Sequence, residues 1–158
     1  MTTLFDGLHG YEIALFVLGA ILFLALTFGL VYSIINKRSI AALAVFFPFP
    51  IIMIGFPAVS KIRFDRGVIE IEKTAEVLAQ NPTDTQAREH LERAVAEIEQ
   101  RPITAGTTHL AIARAQAILG QREKALANVH SALRINPNLA EAARLRETLL
   151  APPAGRPQ

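Results

Sequence analysis

The sequence predicts an all-α protein in two parts: a pair of apolar helices near the N-terminus, then a small water-soluble helical domain. Three observations predict it. The stretches 11–35 and 40–60 are almost free of charge, charged residues crowd the chain from Lys61 onward, and apolar residues of that second part recur at helical spacing between regularly placed breakers. Lys37 and Arg38 are the only Lys or Arg before Lys61, so 14 of the 16 cations and 12 of the 14 acids lie in residues 61–158. The two parts are built for different solvents.

Residues 1–10 read as an N-terminal tail. From Tyr11 to Ile35 there are 25 residues with one charge, Glu12 at the edge, and from Ile40 to Ser60 there are 21 with none. Either is long enough to cross hydrocarbon about 30 Å thick, which takes roughly 20 helical residues. A backbone in lipid must satisfy its own polar groups, so both are expected to be helices and together a transmembrane hairpin over 11–60. Tyr11 and Tyr32 stand about 31 Å apart along such a helix, which suits two interfacial rings. The first ten residues carry no Lys or Arg and the apolar run far exceeds a signal core, so a permanent anchor is expected rather than a cleaved leader. Ala25, Gly29 and Ser33 repeat every four residues and predict a small-residue face for close packing against the second segment or another copy.

The second segment carries Phe47-Pro48-Phe49-Pro50 and then Gly55-Phe56-Pro57. Interior prolines remove a hydrogen bond and clash with the preceding turn, so this span is predicted to be bent or broken. A kinked crossing is the reading preferred here, against a re-entrant loop or a broken helix lining a transport path. No ionisable residue lies inside either segment, which disfavours a transporter or channel. Charge leaves the topology divided. Lys37 and Arg38 sit in the turn and Lys61, Arg63 and Arg66 follow the second segment, so two crossings cannot place both clusters in the cytoplasm.

Past Arg66, helices are predicted at about 67–80, 84–100, 107–119, 122–135 and 139–150, within a domain of 61–150. Asn81-Pro82 and Asn136-Pro137 end two of them, Thr83 or Asp84 can cap the next, and the tail 151–158 is expected to be disordered. A net charge of +2, well mixed in sign, gives no footprint for nucleic acid. With no cysteine there is no disulfide or thiolate chemistry. His9, His90, His109 and His130 lack metal-ligand spacing, and no phosphate loop, nucleophile elbow or catalytic carboxylate pair is present. His109 is expected to be a packing residue, and Glu92, Glu97 and Glu99 a solvated helix face. Neither enzymatic activity, cofactor nor metal is expected.

Leu119-Gly120-Gln121-Arg122-Glu123-Lys124-Ala125-Leu126, followed by Ala132-Leu133-Arg134-Ile135-Asn136-Pro137, closely resembles the second half of a tetratricopeptide (TPR) repeat. Laid on the 34-residue pattern from Gly106 to Leu139, the resemblance puts Gly120 in the turn, Ala125 and Ala132 at small packing positions, Val129 at the bulky one and Pro137 at the stop. His109, Ala113 and Gln116 depart from the pattern's aromatic, glycine and tyrosine. Only one repeat is clear, because Asn81-Pro82 and Asn136-Pro137 are spaced by 55 residues rather than 34. Such repeats bind peptides or partner helices in a concave face, and the resemblance implies a groove of Leu110, Arg114, Ala117 and Ile118 joined by Glu141, Arg144 and Leu145. Arg114 and Arg144 could together hold a carboxylate. The expected function is that of a membrane-anchored adaptor or accessory subunit whose partners are the lipid bilayer and other membrane-complex subunits. A homo-oligomeric scaffold of copies of itself is the alternative, and a transporter component comes third. The expected location is a bacterial inner membrane, with the soluble domain cytoplasmic and a periplasmic placement as the alternative.

Overall fold

The first apolar run forms a single 26-residue helix, α1 (Gly10–Ile35), in a computed structural model that describes residues 6–36 and 45–151. The helix starts where the Glu12 carboxylate accepts a hydrogen bond from the backbone N–H of His9 at 2.8 Å, satisfying a donor and placing negative charge in the first turn. It stops at Asn36, whose backbone and side-chain N–H groups both reach the carbonyl of Tyr32. In between, the hydroxyl of Thr27 donates to the carbonyl of Phe23, so it leaves no unpaired polar group on an apolar surface.

The remaining described helices are α2 (Pro48–Gln80), α3 (Thr85–Glu99), α4 (Gly106–Ile118), α5 (Arg122–Ile135) and α6 (Ala140–Leu150). The chain divides into two compact units, Leu8–Arg63 and Phe64–Gln158, the latter together with Met1–Gly7. Among the described residues there is no strand. The turn with Lys37 and Arg38, positions 40–44 of the second apolar segment and all of the C-terminal tail beyond residue 151 lie outside the described residues.

In the apolar unit, α1 lies against the start of α2. A Cβ on Gly19 would sit 2.9 Å from the Cβ of Met53 and 3.0 Å from Ile54, the Phe23 and Phe47 rings meet edge to face at 5.8 Å, and Glu12 hydrogen-bonds Ser60. The paired numbers fall on one strand of contact as they rise on the other, so the two run antiparallel. The span is interrupted at its first prolines, as the sequence predicts: Val45 and Phe46 are helical and a new helix begins at Pro48. Phe47 is a turn, and Pro48 and Pro50 stand in the first turn of α2, where a missing N–H costs nothing. Helix then continues unbroken through Gly55-Phe56-Pro57, with Pro57 inside it. There is likewise no helix start near residue 67, because α2 runs on to Gln80.

The helical unit is organised around α4. Phe64, Ile71, Ala75 and Leu78 of α2, with Leu91, Val95 and Ile98 of α3, close one core cluster over Ile112, Ala115 and Leu119. Leu110 and Ala113, on another face of α4, join Val129 and Ala132 of α5 and Ala142 of α6 in a second. A helix buried on several sides must be apolar nearly all round, which is why Gly-Thr-Thr-His-Leu-Ala-Ile-Ala-Arg-Ala-Gln-Ala-Ile shows no clean amphipathic stripe. Local signals set the ends. Asp84 accepts from the N–H of Ala87 at 3.0 Å and caps α3, while Thr83 donates to Asn81 instead. Gly120 has φ 79° and follows α4 in a Schellman turn, with Gln121 N–H bonded to the carbonyl of Gln116 at 2.8 Å. Arg88 then donates to the carbonyl of Leu119 at 2.7 Å, one of the carbonyls that a helix end leaves over.

Small residues let α4 and α5 approach. Ala125, Val129 and Ala132 are fully buried, and a Cβ on Gly106 would lie 3.0 Å from the carbonyl oxygen of Ala132. Ala132→Leu therefore overpacks the pair and should cost about 1–3 kcal/mol. Thermal unfolding of the full chain in mild detergent checks it, and an unchanged midpoint would show that the contact has room to spare.

The sequence treats residues 1–10 as a tail, but Asp6 and Gly7 are built into the helical unit. Asp6 is 2 % exposed and accepts hydrogen bonds from Thr104, Ala105 and Thr108. Composition carried no hint of this, since the partners are about a hundred positions away.

Candidate functional site

Two surfaces are candidates, one in each unit. The first is the outer face of α1. Leu18, Ile21, Leu24, Phe28 and Val31 are all exposed, and only 6 % of the helix's most apolar stretch is buried within the chain. The core helix of a soluble protein would be mostly covered. Held in water, these five side chains alone would forgo on the order of 5–10 kcal/mol of burial, comparable to the whole stability of a typical domain. At 26 residues and about 1.5 Å per residue, α1 is long and apolar enough to span a membrane. Val45, Phe46, Phe49, Ile51, Ile52, Phe56 and Val59 extend the exposed apolar surface on the neighbouring segment.

The predicted small-residue face is only partly covered within the chain. Ser33 is buried, Gly29 is half-buried, and Ala25 is exposed. The buried positions of α1 are Glu12, Gly19 and Ser33, at intervals of seven and fourteen rather than four. Two antiparallel helices share a seam of period near 3.5, so a seven-residue step stays on it while a four-residue step drifts off. The close backbone approach is accordingly at Gly19.

The second surface lies on α4 and α6, which pack directly on each other. Here the structure redistributes the residues of the expected groove. Leu110 is 4 % exposed and belongs to the core with Val129 and Ala132, so it offers nothing to a partner. Leu145 is half-buried against the same core. Ala117 is half-buried, and Arg114, Ile118, Glu141 and Arg144 are exposed. The guanidinium of Arg114 is 2.7 Å from the Glu141 carboxylate, so the chain supplies its own acid where Arg114 and Arg144 were expected to share a foreign one. Both side chains are about half open to solvent, and the pair contributes no more than about 1 kcal/mol. A competing carboxylate would have little to displace.

Sequence reasoning missed two further features. Gln116, fully buried in the place of the pattern's tyrosine, donates to Glu99 at 2.8 Å, and Asn128 donates to Gln116 at 3.0 Å and lies 2.8 Å from the His109 ring. His109 is thus a member of a polar network joining α3, α4 and α5, and Glu99 is tied into it rather than merely solvated. Each buried polar atom along it has a partner, which fixes helix register because any slip would orphan one of them. The other feature is an open cleft of about 620 Å³ between α2 and α3, edged by Lys73, Thr74, Val77, His90 and Arg93. His90 there pairs with Glu70 at 3.2 Å. Comparison with known protein families, curated proteins and solved structures finds no match.

Proposed function

We propose that this chain is a membrane-anchored adaptor: α1 and the second apolar segment fix it as a transmembrane hairpin, and a TPR-like helical unit presents the α4–α6 face to another subunit of a membrane complex. The observation that carries the reading is the uncovered apolar length of α1 in a chain whose other unit has a closed core and a charged surface. The repeat reading is supported by the antiparallel α4–α5 pair with glycine at its turn, by the buried Ala125, Val129 and Ala132, and by α6 packing on α4 as the first helix of a following unit would. Anchoring contributes effective concentration. A weak face confined to a membrane meets membrane partners far more often than the same face free in solution, with no added contact. Nothing in this role requires bond chemistry.

Purification from native membranes in mild detergent, comparing the unaltered chain with an Ile118→Glu, Arg144→Glu double variant, tests the reading. The unaltered chain should bring foreign subunits in fixed ratio, and the variant should stay in the membrane and lose them at least tenfold. A mass that is a simple multiple of 17.2 kDa, unchanged by the substitutions, would replace the adaptor with the homo-oligomeric scaffold.

A further inference from the structure

We infer that Asp6 and Gly7 form a strap that closes the membrane segment into a loop, so that the chain enters and leaves the bilayer on the same face and the segment between crosses it an even number of times. The inference rests on the anchor proposed above. It follows from which residues share the helical unit. Asp6 spends both carboxylate oxygens there: Oδ1 accepts from the N–H of Thr104 at 2.5 Å, the hydroxyl of Thr104 at 3.1 Å and the N–H of Ala105 at 3.0 Å, and Oδ2 accepts from the hydroxyl of Thr108 at 2.7 Å. An acid at the start of α4 also meets the positive end of the helix dipole.

Gly7 completes the strap. Its N–H donates to the carbonyl of Pro102 at 3.0 Å, and Arg101 donates to its carbonyl at 3.4 Å. Its φ is 76°, a left-handed conformation that side chains rarely adopt, and a Cβ there would fall 2.2 Å from the ring of Phe64. So the last residue before the apolar unit lies against the first residue after it, and both belong to one closed, water-soluble body. Such a body cannot straddle hydrocarbon, since each charged side chain taken into the bilayer centre costs roughly 2.5–3.5 kcal/mol or more. Residues 7 and 64 therefore share one face of the membrane. If α1 crosses, the stretch after Asn36 must cross back, which excludes a single span and excludes a re-entrant second segment. The opposed cation clusters, Lys37 with Arg38 and Lys61 with Arg63, cannot decide the orientation between them, and the strap supplies a constraint that charge does not.

The chain has no cysteine, so single-cysteine variants report sidedness without a background to remove. Gly10→Cys, Asn36→Cys and His130→Cys sit at exposed positions, and Gly10 has open space where a Cβ would go. Labelled in sealed membrane vesicles with an impermeant maleimide, positions 10 and 130 should react from one side and position 36 from the other. Positions 10 and 130 on opposite sides, with 36 on the side of 130, would overturn the strap while leaving α1 as an anchor. All three on one side would show that α1 does not cross, overturning the anchor and this inference with it. A second readout looks at the strap itself: in the full chain in detergent, Asp6→Ala should speed hydrogen exchange of the Thr104 and Ala105 amides at least tenfold. Unchanged exchange would mean that Asp6 does not hold them.

Discussion

Ile112→Ala should lower the unfolding midpoint of the full chain in mild detergent by at least about 8 °C. Ile112 is fully buried on the face of α4 that closes the α2–α3 cluster, with Ile71 and Leu91, themselves fully buried, in the same cluster. Truncating a buried isoleucine removes its transfer free energy and leaves a cavity that rigid helices only partly fill, about 2–5 kcal/mol in all. For a unit of this size each kcal/mol moves the midpoint by roughly 4–8 °C. Relaxation should be small here, because α4 is held from its other side by the Leu110 and Val129 cluster and cannot sink toward the gap without opening that one. Ile69→Ala, the same change at a half-exposed position of α2, should shift stability by no more than about 0.5 kcal/mol. Equal effects at the two positions would mean that α4 is not the centre of the unit.

How far the sequence foretold this arrangement depends on the range of the interaction. Helix existence and most ends in the second part were legible because their causes are local: Asp84 before α3, Gly120 after α4, Asn-Pro after α2 and α5. Burial of Ala125, Val129 and Ala132 was expected from the repeat resemblance, and all three are fully buried. What failed had causes far away in the chain or in helix register. Pro57 read as a breaker, yet α2 runs on through it, whereas the break predicted at Phe47-Pro48 is there, between helical Phe46 and the helix that begins at Pro48. The repeat resemblance put Leu110 and Arg114 in one groove, yet the first is core and the second pairs with Glu141. Asp6 looked like part of a tail because nothing in residues 1–10 names Thr104 or Thr108. Of the candidate site, Arg114, Ile118, Glu141 and Arg144 are exposed, and Arg114 pairs with Glu141 of the same chain, a contact between two helices that no local pattern announces.

Leu18→Arg with Leu22→Arg should release the chain from carbonate-washed membranes, with the two possible solvents for α1 predicting opposite signs. Both side chains are exposed, one helical turn apart, near the middle of α1. Were that face in water, exchanging exposed leucine for arginine would remove an unfavourable apolar contact with solvent and leave helix propensity almost unchanged, so solubility would rise and nothing else would move. In a bilayer the same exchange puts two guanidinium groups near the hydrocarbon centre, at about 2.5–3.5 kcal/mol each on an insertion scale, with a small further penalty for like charges spaced four residues apart. The sum, about 5–7 kcal/mol, corresponds to a 10³–10⁵-fold shift away from the inserted state. Leu18→Ala with Leu22→Ala, which shortens the same side chains without charge, should leave most of the protein in the membrane. A double-arginine chain retained as completely as the original would mean that α1 is not what holds the protein there, and the search for an anchor would move to the apolar residues after Val45.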